Sequence, residues 1–203
     1  KSLHSRAMER AAETLPAAGA RVADPLELLA DLGRDFASTL DIESTLSRAV
    51  ERITRHVDAA GGALFLLEDE GRALRCRACS GATRINGLTV GIEEGIVGRC
   101  VRNNSGEIVR DAAHDPGFFK GADRMTGYTT RSILCAPMSV KDERIGAIEL
   151  INKLGPDARF EDSDLNLLQV LSSSAALAIL NARMAAKLVE QERLRRELEL
   201  AAE

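Results

Sequence analysis

The chain has 203 residues, 45% of them hydrophobic and 29% charged, which suits one domain of ordinary size with helical extensions and not a disordered chain. The formal net charge is −4, aromatic residues make up 3%, and Trp is absent. These values predict no surface for nucleic acid or anionic lipid. No uninterrupted apolar run approaches the ~20 residues that a membrane helix needs, and the first residues do not form a signal peptide, so we expect a cytoplasmic protein without a membrane anchor.

The four cysteines do not form a metal-binding pattern. Cys76 and Cys79 are spaced as C-x-x-C, but no second pair or nearby His completes a zinc set. Their segment has the pattern of a strand, on which residues three apart face opposite sides. We therefore expect reduced, partly buried thiols and no metal site. The other two cysteines are Cys100 and Cys135.

The first part of the chain predicts a leader and two helices. Residues 1–24 are rich in Ala and interrupted by Pro and Gly, which favours a mobile leader or a broken helix. Asp24 and Pro25 then suit the N-cap and the first position of a helix. A second helix is predicted over 43–57, ended by Gly61 and Gly62. The apolar stripe of the first helix is predicted to be Leu26, Leu29, Gly33, Phe36 and Leu40.

Six strands and two short helices follow. The alternation of apolar residues predicts strands over 63–67, 73–80, 88–92, 107–110, 131–140 and 144–152. Short helices are predicted over 95–103 and near 120–126. The second lies within the connection 111–130, and connections of this length are uncommon in compact domains unless they have a function. The order of elements is that of an α+β fold with one antiparallel sheet and flanking helices.

A single helix is predicted from Ser163 to the end of the chain. Past about residue 185 this helix has little to pack on, so we expect it to pair with the same helix of a second copy. A solvated, fraying helix is the alternative. The apolar residues along it are Leu177, Leu180, Met184, Leu188, Leu194 and Leu198.

One carboxylate, Glu149, stands in the apolar strand 144–152, where the pattern predicts burial. A lone buried charge costs several kcal/mol unless a partner is supplied. A ligand would be a partner that comes and goes, so Glu149 is a candidate binding residue.

Four stretches of the chain are similar to segments of one known family: ALFLLE at 63–68, GIVG at 95–98, DAAHDPGFF at 111–119 and TGYTTRSILCAP at 126–137. Together they make the span from about 26 to 186 resemble a GAF domain, a small-molecule sensor module related to PAS domains. The resemblance is greatest to the cyclic-nucleotide-binding GAF domains of phosphodiesterases and bacterial adenylate cyclases. It implies a six-stranded antiparallel sheet with flanking helices and a long C-terminal signalling helix.

A further motif resembles that subfamily in particular. Its pattern is Asn-Lys, a spacer, Phe, three residues and Asp-Glu, and here Asn152, Lys153, Phe160 and Asp164 fit it. Leu165 stands where the final Glu is expected. In the family the Lys and the Asp form a salt bridge beneath the ligand, and the resemblance implies the same for Lys153 and Asp164.

The resemblance also implies a set of ligand contacts between the sheet and the short elements that cover it. The start of the short helix 120–126 would receive a cyclic phosphate, and Thr hydroxyls suit ribose and phosphate edges. The alternative is structural: the threonines cap a helix and end a loop, and the strand Glu pairs with an Arg. The implied contact residues are Thr126, Thr130 and Glu149 on the nucleotide, Cys79 and Ser80 beside the base, Ile96 and Val97 through their backbone, and Asp123 in the covering segment.

The residues suggest no catalytic centre. The three His residues are scattered, no Ser or Cys has an obvious base, and no phosphate-binding Gly-rich loop is present. We expect a non-enzymatic bacterial fragment without an obligatory cofactor, in which cAMP or cGMP is the regulatory ligand. The expected assembly is a homodimer that pairs through its N- and C-terminal helices and binds no nucleic acid. A ligand-free dimerisation and signal-relay module, or a methionine sulfoxide reductase-type GAF enzyme, is the alternative.

The expected organisation is a leader over 1–24, a sensor domain over 25–186 and a helical linker over 187–203. The last stretch, 192–203, is similar to linkers that precede PP2C-type serine phosphatase domains. The chain begins without Met and ends within a charged helix, as a piece of a longer protein would, so an effector domain is expected after it.

Overall fold

The computed structural model describes residues 24–38 and 41–201. Leu40 and the leader, apart from Asp24, lie outside the described residues. The helices are α1 Pro25–Ser38, α2 Ile42–His56, α3 Gly95–Asn103, α4 Gly121–Thr126 and α5 Asp162–Ala201, and the strands are β1 Ala59–Glu68, β2 Ala73–Gly81, β3 Thr89–Gly91, β4 Glu107–Val109, β5 Ile133–Val140 and β6 Glu143–Lys153.

The strands form one antiparallel sheet in the order β3-β2-β1-β6-β5-β4, which confirms the predicted six-stranded α+β fold. The face covered by α1, α2 and α5 carries one hydrophobic cluster, with Leu64 and Leu150 from the sheet. The opposite face, covered by α3 and the segments around it, carries a second cluster that includes Phe65 and Cys135. The strand β6, which carries Glu149, lies between β1 and β5 and is therefore central.

The glycines Gly61 and Gly62 lie inside β1 and do not end the preceding helix as expected. The chain leaves α2 at Asp58, which has a φ of 52°. A Cβ on Gly62 would lie 2.2 Å from Thr54 Oγ1 of α2, a distance at which atoms clash. Glycine is therefore present because α2 packs directly on the strand backbone.

The apolar face of α1 is rotated from the predicted stripe. Leu28 and Leu32 are buried, whereas Leu26 is 71% exposed. Leu29 and Phe36 of the predicted stripe do pack on the core. Asp24 accepts a hydrogen bond from the Leu26 backbone N–H at 3.0 Å, as an N-cap residue does.

The prediction that Cys76 and Cys79 face opposite sides of the sheet is wrong. Cys76 is paired with Phe65 and Cys79 with Ala63, both on the α3 face, because a bulge places the extra residue Arg77 between the two pairs. A bulge shifts the two-residue alternation of a strand by one. Burial raises the pKa of the Cys76 thiol to about 12, so it stays protonated at neutral pH.

The end of the connection between β4 and β5 is anchored by Asn152. Its Oδ1 accepts hydrogen bonds from the backbone N–H groups of Arg131 (2.6 Å) and Ser132 (3.1 Å), and its Nδ2 donates to the Thr129 carbonyl (2.8 Å). The side chain is almost fully buried, and its φ of 53° is one that Asn tolerates better than most residues. The connection is therefore fixed at its exit by a single side chain.

The neighbouring Lys153 pairs with α5. Its Nζ lies 3.0 Å from Oδ1 of Asp164 and 6.0 Å from the centre of the Phe160 ring. Asp164 also accepts from the Glu161 backbone N–H at 2.9 Å. The motif thus joins the end of the central strand to the start of α5 and does not line the cavity described below.

The helix α5 has two parts. Up to Ile179 its buried residues pack on the sheet, and residues 183–201 are exposed. By length and composition the helix also contains an 18-residue window that could cross a membrane, with a mean hydropathy of 1.4 and 39% of it buried in the domain. The window is interrupted by polar residues, so it is not an uninterrupted apolar run. Core helices of soluble proteins can have the same length and composition.

Replacing Asn152 with Ala removes three hydrogen bonds and leaves buried backbone groups unpaired. We expect the free energy of unfolding to fall by about 2–4 kcal/mol, measured by urea denaturation. Asn103→Ala, at an exposed position in α3, is the control and should change it by less than about 0.5 kcal/mol. Equal stability of the two variants would show that Asn152 does not anchor the connection.

Candidate functional site

A cavity lies between the second face of the sheet and three covering segments: 82–90, the start of α3, and 118–130. Its volume is about 40 Å³, room for about three water molecules and less than a nucleotide occupies. A larger ligand would therefore have to displace part of the wall. The lining residues are Phe65, Ala82, Thr83, Ile85, Leu88, Val90, Gly95, Ile96, Val97, Phe118, Phe119, Ala122, Asp123, Thr126, Tyr128, Thr130, Ile133, Glu149 and Ile151.

Glu149 reaches this cavity from the centre of the sheet and is half-buried. Burial raises the pKa of its carboxyl to about 7, and the negative charges of Glu107 and Asp123 add to the shift. Within residues 24–38 and 41–201, no hydrogen bond or ion pair involves its side chain. The Arg partner that the structural alternative requires is thus not found among them.

The Asp123 carboxylate, in contrast, is bonded to the segment that follows it. Its Oδ1 accepts from the Thr130 hydroxyl at 2.6 Å, and its Oδ2 accepts from the Thr130 backbone N–H at 2.8 Å. Both side chains line the cavity but already satisfy one another. The pair joins α4 to the residues that precede β5.

Thr126 has the structural role that the alternative reading describes. Its hydroxyl donates to the Ala122 carbonyl at 3.0 Å and accepts from the Tyr128 backbone N–H at 3.2 Å. Gly127, with a φ of 69°, ends the helix between them. Thr126 therefore caps α4 while it also lines the cavity.

Ser80 and Cys79 do not line the cavity. Ser80 pairs with Gly62, which pairs with Leu150 of the α2 and α5 face, so Ser80 belongs to the opposite side of the sheet. Cys79 is on the cavity side, in the same row as Glu149, but packs among the apolar residues there.

The start of α3 contributes Gly95, Ile96 and Val97 to the wall. Its N-cap residue, Glu94, makes no side-chain bond to the helix and instead accepts from the Gly91 backbone N–H at 3.1 Å. The first N–H groups of a helix have no intrahelical partner and favour an anion. This nine-residue helix offers them in place of α4, which has six residues.

Arg99 connects α3 to β4 and to the start of the connection between β4 and β5. Its guanidinium lies 2.7 Å from Glu107 of β4 and 2.9 Å from Asp115, and it holds the pKa of the Asp115 carboxyl below its usual range. Asp115 in turn accepts from the Gly117 backbone N–H at 2.8 Å. The ion pairs fix one end of the connection, as Asn152 fixes the other.

Sequence reasoning missed most of the wall. The side chains of Phe118, Phe119 and Tyr128 stand in stretches that carry the family resemblance but were not singled out as contacts. The sequence does not predict Thr83 as a residue of the wall, because its position over the sheet depends on the turn at Gly81, where φ is 68°. The described wall contains two carboxylates and no Lys, Arg or His.

A family model described as GAF domain matches residues 39–180. The chain belongs to the GAF family. A GAF domain is typically a regulatory, ligand-binding domain. The family therefore agrees with the resemblance seen in the sequence.

Two curated relatives of this GAF domain are phosphodiesterases. A dual 3′,5′-cyclic-AMP and -GMP phosphodiesterase 11A of Takifugu rubripes is 30% identical over 186 residues, which is 86% of this chain and 21% of the relative. A probable 3′,5′-cyclic phosphodiesterase pde-5 of Caenorhabditis elegans is 25% identical over 176 residues, 81% of this chain and 24% of the relative. The chain thus spans about a fifth to a quarter of these relatives.

Solved structures share the fold at lower identity. The GAF domain of a phosphoenolpyruvate-protein phosphotransferase from Coxiella burnetii has a TM-score of 0.71 at 18% identity, covering 82% of this chain and 99% of that one. A free methionine-R-sulfoxide reductase from Neisseria meningitidis has a TM-score of 0.68 at 16% identity, covering 81% and 93%. These likenesses show the GAF fold and no particular activity.

The unpartnered carboxyl of Glu149 makes stability depend on pH. Its pKa in the folded state, about 7, exceeds the ordinary 4.5, so the folded state binds the proton more tightly and loses stability as pH rises from about 4.5 past 7. We expect Glu149→Gln to match the wild type near pH 4.5 and to exceed it by about 2–3 kcal/mol at pH 8. Urea denaturation at a series of pH values measures this difference.

The matched control is Glu143→Gln, on an exposed position of the same strand. It should leave the pH dependence of unfolding as in the wild type. If Glu149→Gln has the same pH profile as the wild type, the carboxyl is not desolvated.

Proposed function

We propose that this GAF domain binds a cyclic nucleotide, cAMP or cGMP, in the cavity and relays occupancy through α5 to a C-terminal effector in a cytoplasmic protein. The observation that carries the proposal is the Glu149 carboxyl, which faces the cavity without a partner among the described residues. The names of the phosphodiesterase relatives indicate the ligand class. The mechanism is a shift between populations of two states.

The electrostatics of the wall suggest how the ligand lies. A cyclic phosphate carries one negative charge, and the free N–H groups of Ile96 and Val97 at the start of α3 would donate hydrogen bonds to its oxygens. The same charge is disfavoured near Glu149 and Asp123. The base or the ribose, which present N–H and O–H donors, would therefore lie at Glu149.

Because the cavity is smaller than a nucleotide, the covering segment 118–130 has to move for a nucleotide to bind. The Asp123–Thr130 pair closes this segment, and a ligand that displaces it must offer Asp123 or Thr130 equivalent hydrogen bonds. The segment is fixed at both ends by Arg99 and Asn152, so its movement would be transmitted to α3 and β6 and, through the Lys153–Asp164 pair, to α5.

A second candidate function is favoured by the same closed state. Asp123 and Thr130 bond to each other, and the cavity has room for only a few waters. A relay module that binds no ligand would show both features. In that case the domain would act only through the pairing of its helices.

Calorimetric titration with cAMP and with cGMP separates the two functions. We expect binding of at least one nucleotide and, for Glu149→Ala, a loss of about 1–3 kcal/mol in binding free energy, because a buried polar contact is removed. Glu143→Ala is the control and should bind as the wild type does. Absence of binding of either nucleotide would favour the ligand-free module.

We propose that the exposed part of α5 forms a coiled coil with the same helix of a second copy. Leu177, Met184, Gln191 and Leu198 lie at successive seven-residue intervals, with Leu194 at the complementary heptad position. The four apolar residues of this set are about half exposed or more. Leu194→Glu would place a charge in the seam and should shift the protein from dimer to monomer in sedimentation equilibrium. Val189→Glu, on the outer face and 70% exposed in the wild type, should remain dimeric. A monomeric wild type would contradict the proposal.

A further inference from the structure

Three buried side-chain atoms among the described residues lack a hydrogen-bond partner: His56 Nδ1, Thr83 Oγ1 and Ser172 Oγ. His56 and Ser172 belong to α2 and α5, on the far face of the sheet. Thr83 is the one of the three that lines the cavity. A buried hydroxyl without a partner is unfavourable, so its placement here needs a reason.

The local backbone is arranged to hold this hydroxyl. Gly81 turns the chain with a φ of 68°, and the next residue, Ala82, donates from its backbone N–H to the Ala60 carbonyl at 2.8 Å. Thr83 then folds over β1, where it is 7% exposed. A Cβ on Gly61 would lie 2.0 Å from Thr83 Oγ1, so the glycine leaves the space that the hydroxyl occupies.

Thr83 is the single polar side chain of its wall. The segment 82–90 otherwise presents Ala82, Ile85, Leu88 and Val90 to the cavity. An apolar wall with one hydrogen-bonding group suits a planar heterocycle, which has apolar faces and polar edges. It does not suit a phosphate, for which the α3 N–H groups are the better site.

We propose that Thr83 is a nucleotide-contact residue, whose hydroxyl hydrogen-bonds a polar atom on the edge of the purine ring. The inference rests on the proposed function and adds a residue to its site. Because a hydroxyl both donates and accepts, it can pair with an amino group or with a carbonyl oxygen. Thr83 therefore contributes to the affinity for adenine and for guanine nucleotides alike.

The test compares Thr83→Val, which removes the hydroxyl at nearly constant shape, with Thr83→Ser, which keeps it. We expect Thr83→Val to weaken the affinity of every nucleotide that the wild type binds by about 5- to 100-fold. Thr83→Ser should stay within a few-fold of the wild type. Without nucleotide, the melting temperature of Thr83→Val should equal or exceed that of the wild type, because an unpaired buried hydroxyl is removed.

Thr54→Val is the matched control. Thr54 is also buried, but its hydroxyl donates to the Val50 carbonyl at 2.7 Å on the opposite face of the sheet. This variant should keep its nucleotide affinity. The pair separates the effect of the orphan hydroxyl from the general effect of a Thr to Val change in the core.

The possible outcomes are distinct. Wild-type affinity in Thr83→Val overturns the inference and leaves the proposed function intact, whereas a wild type that binds neither cAMP nor cGMP removes both. If Thr83→Val loses affinity and thermal stability together, the hydroxyl has a folding role and the inference is wrong. If Thr83→Ser loses as much affinity as Thr83→Val, the methyl group and not the hydroxyl is required, and the inference is also wrong.

Discussion

The desolvation of one carboxyl group, on Glu149 in the central strand β6, is the constraint on which the cavity depends. Its neighbours along the row across the sheet are Cys135 and Ala63, which give it no charged partner. The negative charge of Glu107 also acts on Glu149. The ion pair of Glu107 with Arg99 offsets part of that repulsion. Apolar packing against an unpaired carboxyl adds to its desolvation cost, and the cavity leaves space beside Glu149 instead.

The covering segment shows the opposite arrangement, because its polar groups satisfy one another. Asp123 holds Thr130, Thr126 caps its own helix, and Asn152 holds the backbone at 129–132. A ligand would gain from Glu149 and from the start of α3, and would have to exchange bonds at Asp123. The free energy of binding would therefore depend on the difference between the bonds gained at Glu149 and α3 and those exchanged at Asp123.

The sequence was sufficient for the elements and for the position of Glu149, because the alternation of apolar residues and one misplaced charge are local signals. The sequence did not predict which side chains face the cavity where a bulge shifts the inward and outward alternation of a strand. The bulge at Arg77 moved Cys79 to the cavity face and left Ser80 on the other face. Thr83 could not be found either, since its place over Gly61 depends on a turn at Gly81 that the pattern does not encode. The Asp123–Thr130 bond joins residues seven apart across the end of a helix and a loop, and the helix and strand periodicities of the sequence do not predict such a contact.

The most direct measurement is the site-specific titration of Glu149, by ¹³C NMR of its carboxyl carbon, in the free protein and at saturation with cyclic nucleotide. We expect a midpoint near 7 in the free protein and a displaced midpoint in the complex, because a bound nucleotide would become the missing partner of the carboxyl. A midpoint near the ordinary value of 4.5 that nucleotide leaves unchanged would contradict it.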